Sequence, residues 1–190
     1  GYLTGKIEEA YGIPLSIERL RIRNLDEIIL KGVLIKDRSN DTIIFAHEAT
    51  AHISPHKLSE GSIQINTLTF AAPDIRLNRD SAGGPLNIQF LIDNLEKKEE
   101  SESKDINLRI NQFIVYDGQF HYDIKNAAHL NNRLDPNHIA LGDFGCNISL
   151  KSLRSDTLSI QIRSIRGKEK SGLELSGFRA KVNANKNSIR

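Results

Sequence analysis

Apolar residues recur along this chain in one frame: two separated by a single residue, a gap of two, then two more separated by one. "IQINTLTF" fills it with Ile63, Ile65, Leu68 and Phe70, "LSIERLRI" with Leu15, Ile17, Leu20 and Ile22, and "LRINQFIV" with Leu108, Ile110, Phe113 and Val115. Within each pair the spacing is that of a β-strand, whose side chains point to opposite faces in turn. Across the gap the phase slips by one, so an uninterrupted strand would turn its dry face over halfway. Two readings fit. An extra residue in a β-bulge lets both pairs face one side while the strand bends. Alternatively, the strand leaves one packed layer and enters another at a sandwich corner.

The frame extends and repeats. Ile75 and Leu77 follow Phe70 by five and seven residues, and Phe120 and Tyr122 follow Val115 at the same offsets. The first copy reaches Ile28 and Leu30 with one residue more, and the starts at Leu15, Ile63 and Leu108 lie 48 and 45 residues apart, within the range of repeat architectures. A weaker copy begins at Ile160, with Gly167 in its last apolar place. Turn residues bound alternating runs near 15–23, 28–37, 42–53, 61–70, 74–79, 106–115, 118–125, 139–150, 157–166 and 172–183, which predicts a mainly β chain of antiparallel strands. One helix interrupts them over 86–95, with Pro85 at its first position and Ile88, Leu91, Ile92 and Leu95 on one face. The charged "EKKEESESKD" that follows predicts a solvated loop at 96–105. Residues 1–14 read as the end of a helix begun upstream, closed by Gly12 and stopped by Pro14, and 15–190 as the β segment.

Composition narrows the chemistry. Lysine and arginine outnumber acids by only 26 to 24, which gives no nucleic-acid surface. The core is aliphatic, since Trp and Met are absent. Cys146 is the single cysteine, so a disulfide or a cysteine-rich zinc site is excluded, and its phase with Ile148 and Leu150 makes it a small buried hydrophobe. No run is apolar enough for a membrane span.

Six histidines invite a metal reading. His47 and His52 in "HEATAH" are five apart where a zinc-protease helix needs four, and Pro55 precedes His56 in the pair His52 and His56. Neither pair presents two imidazoles from one helical face, so no metal site is expected. "AGGPLN" lacks the lysine and further glycine of a phosphate loop, no nucleophile elbow occurs, and Asp93, Asp117 and Asp123 read as turn and strand-edge residues. The Asn147-Ile148-Ser149 sequon carries meaning only in a eukaryotic secretory pathway.

Taken in order, "YGIPLSIERLRI", "ILKGVLIKD", "DTIIFAHEATAHIS", "INTLTFAAPDIRLNRD", "LNIQFLIDNL", "LDPNHIALGDFGCNISLKSLRSDTLSIQI" and "KEKSGLELSGFRAKV" resemble the membrane-proximal part of TamB-type proteins of the AsmA-like group. The resemblance implies a repetitive, strongly curved antiparallel sheet that forms an open apolar groove across the periplasm of a Gram-negative bacterium. It further implies an inner-membrane anchor ahead of the chain, phospholipid as cargo bound for the outer membrane, and a TamA-like outer-membrane partner reached through regions beyond this chain. No cofactor and no catalysis are implied. A periplasmic scaffold that assists outer-membrane protein assembly by β-augmentation is the alternative. The expected lipid-facing residues are Ile63, Ile65, Leu68, Phe70, Leu108, Ile110, Phe113, Val115, Phe120 and Tyr122.

Overall fold

The computed structural model describes residues 12–59, 62–99, 107–130, 133–154 and 157–185. Ten strands form one sheet: β1 (Leu15–Ile22), β2 (Glu27–Lys36), β3 (Thr42–Ile53), β4 (Ser62–Ala71), β5 (Asp74–Arg79), β6 (Asn107–Ile110), β7 (Gln112–Ile124), β8 (His138–Arg154), β9 (Thr157–Glu169) and β10 (Glu174–Asn185). Among the described residues two short helices accompany them, α1 (Pro55–Ser59) and α2 (Gln89–Glu99). The main path runs β1-β2-β3-β4-β7-β8-β9-β10, with β5 between β3 and β7 and β6 beside β4. Thus β4 and β5 act as one long strand broken at Ala72–Pro73, and β6 and β7 as another broken at Asn111.

The sheet is mixed, which corrects the expectation of antiparallel pairing throughout. β4 runs parallel to β6 and β7, and β5 runs parallel to β7. The cause is the connection that contains α2. Parallel neighbours need a crossover, and this segment returns the chain to the end of the sheet where β4 began. On either side the pairing is antiparallel.

Register decides between the two readings of the frame. Ala49 faces Phe70, Ala51 faces Leu68 and Ile53 faces Ile65, whereas His52 faces Thr67, so Asn66 is an extra residue in β4. Directly opposed residues share a face. Ala49, Ala51 and Ile53 alternate along β3 and are all buried, so Ile65, Leu68 and Phe70 lie on one side despite the phase slip. The slip is a bulge within a continuous sheet, not a corner between two. In the parallel neighbour, Leu108 and Ile110 pair with Ile63 and Ile65, and Phe113 and Val115 with Leu68 and Phe70.

A second row of irregularities crosses the sheet. Left-handed backbone occurs at Gly32 in β2 (φ 62), Ala72 between β4 and β5 (φ 46), Asp117 in β7 (φ 55), Asp143 in β8 (φ 48) and Gly177 in β10 (φ 78). Register shifts bracket those in β7, β8 and β10. Near this row the frame appears in strands where it is harder to see. Ile28, Leu30, Val33 and Ile35 of β2 face Ala51, Ala49, Ala46 and Ile44 of β3.

The core follows the frame. Val33, Ile43, Ile44, Ala46, Ala49, Phe70, Ile75, Val115, Phe144 and Cys146 form one buried cluster, joined by Ile13 and by Phe90 and Leu91 of α2; Ile43, next to Ile44 at the register shift in β3, lies outside the alternation. The helix begins at Gln89, later than the predicted 86, and it continues to Glu99 through the first part of the predicted charged loop. Residues 100–105, and the N-terminal helix over 1–11, lie outside the described residues; Gly12 does adopt the left-handed turn (φ 58).

Candidate functional site: a one-sided apolar face

Nine of the ten predicted lipid-facing residues, all but Leu108, are gathered on one face, at unequal depths. Phe70 and Val115 are packed into the interior. Ile63, Ile65, Leu68, Ile110, Phe113, Phe120 and Tyr122 are half-buried. The backbone of Leu108 pairs with Ile63, and its side chain lies outside the described residues. Phe70 and Phe113 touch with ring centroids 5.2 Å apart, tilted by 45°, and Phe120 stacks on Phe144 at 5.0 Å. Such pairs hold flat apolar surface in a fixed orientation. At the far end Arg79 lies over the Tyr122 ring, 5.6 Å from its centroid.

The apolar rows continue across the sheet. Phe113 faces Ile148, which faces Ile162, which faces Ala180; Val115 faces Cys146, then Ile165, then Phe178. Burial fades along them. On β10, Leu175, Phe178 and Val182 are 36%, 48% and 41% exposed, and on β1 Leu20 and Ile22 reach 40% and 68%. The middle of the face is covered by α2, and among the described residues its apolar side chains are most exposed towards the two lateral ends. Among the described residues β1 and β10 each pair on one side only.

Polar side chains hold the bulge. Asn111 Nδ2 donates to Asn66 Oδ1 (3.4 Å), and Asn66 Nδ2 donates to Ser54 Oγ (2.9 Å). Asn111 N–H donates to Ile65 O, and Asn111 O accepts from Leu150 N–H, both at 2.9 Å. Beside them Thr67 Oγ1 donates to Gln112 Oε1 and Gln112 Nε2 to Asn147 Oδ1. Asn66 and Asn111 occupy the same place in their frames, "INT" and "INQ", a signal that the apolar spacing alone passes over.

Candidate chemistry elsewhere falls as follows. Burial pushes the Cys146 thiol up to about 11, so this side chain is an inert hydrophobe at neutral pH, as its phase implied. His47 and His52 lie exposed on β3, and the ring of His47 meets Phe45 edge-on at 4.9 Å. Asp93 accepts from Gln89 Nε2, and Asp117 lies 3.5 Å from Arg166. Asp123 bonds His138, in a cluster with His129 and Asp135 that sequence reasoning missed. Its only sequence signal was a pair of histidines flanking "LDPN". No helix among the described residues is long and apolar enough to cross a membrane.

No protein-family model matches the chain, and neither does any curated protein or solved structure.

Proposed function

We propose that this chain is a non-enzymatic segment of a TamB/AsmA-like bridge, anchored in the inner membrane of a Gram-negative bacterium, that shields phospholipid acyl chains on their way to the outer membrane. The observation that carries this reading is the single apolar face, kept continuous through two rows of bulges and, among the described residues, most exposed at β1 and β10. Bulges bend strands, so rows of them at matched positions curl a sheet toward a groove. A strand of eight residues such as β1 spans roughly 26 Å at about 3.3 Å per residue, comparable to an acyl tail. Each methylene kept from water contributes about 0.8 kcal/mol, so a tail of about sixteen carbons is protected by roughly 12 kcal/mol. A long surface of even hydrophobicity lowers the barrier to movement without holding the lipid at one point.

Lipid extraction and mass spectrometry of the purified protein test the reading. Co-purifying phospholipid is expected, and Leu68→Asp and Phe113→Asp should abolish it while the folded yield falls far less. Equal loss of lipid and of folded protein would assign both residues to the core alone. The bare edges support a second reading, a scaffold that adds strands of client proteins to β1 or β10 by main-chain pairing. That reading predicts binding of extended barrel-strand peptides by the lipid-free protein.

A further inference from the structure

We propose that His138 is a proton-operated latch: its imidazolium ties the turn of residues 125–130 to the end of β7, and loss of the proton loosens that turn.

Each nitrogen of this ring faces an oxygen, and only a doubly protonated ring can donate to both. Nδ1 bonds Asp123 Oδ1, and Nε2 lies 3.1 Å from the carbonyl oxygen of Ala127. The partners are a carboxyl oxygen of Asp123, whose side chain is 45% exposed, and a backbone carbonyl oxygen, and an ionised carboxylate and a carbonyl both only accept. A neutral imidazole has one N–H to give and would turn a lone pair toward the other oxygen. The stronger, charge-assisted bond to Asp123 is the one retained, so the Ala127 carbonyl is the partner lost. That carbonyl belongs to a tight turn closed by Ala127 N–H on Ile124 O and tied at its ends by Lys125 N–H on Arg79 O and Leu130 N–H on Asp135, so losing the ring loosens the middle of the turn.

Two carboxylates favour the charged ring, while the His129 ring packs on it without adding a negative charge. Asp123 approaches from β7, and Asp135 from the turn before β8, where its carboxylate also accepts from Leu130 N–H (2.8 Å) and Asn137 N–H (3.0 Å). The exposed His129 ring stacks on His138 with centroids 3.7 Å apart. The bond to Asp123 raises the pKa of His138 above the ordinary 6.5, against an opposing effect of burial, and Ala127 and Asp135 add to it. The latch is therefore fully set below the ordinary histidine value and is lost as pH rises through the elevated one. His129, Asp135 and His138 bring one ligand atom each within 4.8 Å of the others, and a metal ion there would compete with the bonds that His138 and Asp135 make to the protein.

Two NMR measurements on the intact protein decide the matter: the protonation of both ring nitrogens of His138, and amide exchange over residues 125–130, each followed across pH 5–9. Two attached protons at pH 7 are expected, and exchange at Ala127 and Leu130, corrected for its intrinsic pH dependence, should accelerate at the midpoint of the ring titration. Asp123→Asn should move that midpoint down by about one pH unit, a tenfold loss of proton affinity. If that variant does not fold, the wild-type titration still decides. A neutral ring at pH 7, a titration with no accompanying change in exchange, or proton release from His138 on adding zinc alone would overturn the proposal.

Discussion

At residue scale, the phase slip is carried by asparagine. Asn66 and Asn111 are the residues at which β4 and the β6–β7 strand step out of alternation, and each exchanges bonds with the neighbouring strand instead of leaving donors unpaired. Their repeated position was readable in the sequence. The second row was not, because Ala72, Asp117 and Asp143 take a left-handed conformation that only glycine announces plainly. Gly118 marks the crowding there: a Cβ on it would lie 3.0 Å from Cδ and from the carbonyl oxygen of Pro73. Cys146 was legible from its phase, and its environment yields a prediction. With its pKa near 11, reaction with a disulfide reagent at pH 8 should be at least about tenfold slower in the native protein than in urea. Equal rates, measured by absorbance of the released thiol, would place this sulfur at the surface.

At the scale of elements, the strands were legible to within a few residues because β-branched alternation dominates them. The late start of α2 was not. Pro85 suits a first helical position, but Asn87 ties this segment to β5: its Oδ1 accepts from Asn78 N–H and its Nδ2 donates to Arg76 O, both at 3.1 Å. Helical winding begins only past that clamp. The expected break near 116–117 likewise gave way to one at Asn111, since β7 passes through Asp117 as a bulge and resumes pairing with β8 at Gly118. The helix covers the middle of the apolar face through Phe90 and Leu91. Phe90→Ala should therefore lower stability by roughly 3 kcal/mol, read from urea unfolding, and increase binding of a hydrophobic dye to the native state. A variant as stable as wild type would mean that the helix merely rests on the sheet.

For the whole molecule, the sequence conveyed a mainly β chain with a periodic dry side but not its topology. Apolar alternation is the same for parallel and antiparallel neighbours when one face is wet, so the direction of β6 and β7 relative to β4 left no trace in the pattern. That direction divides the sheet into two antiparallel meanders, β1 to β4 with β5 and β7 to β10, which meet along the parallel contacts. Strands within a meander close short loops, whereas the join must bring together Leu68 and Phe113 across the whole crossover, and parallel ladders hold slightly less firmly per residue. Assembly should consequently proceed as two locally formed halves that dock late. Native-state exchange in mild denaturant should show the halves separating along Leu68–Ala71 and Phe113–Tyr116 before either one unravels, and simultaneous loss of all ladders would contradict it. A protein built in this way has its weakest mechanical line at its centre, so that tension along the long axis of the sheet's width would part it there and leave two intact ribbons.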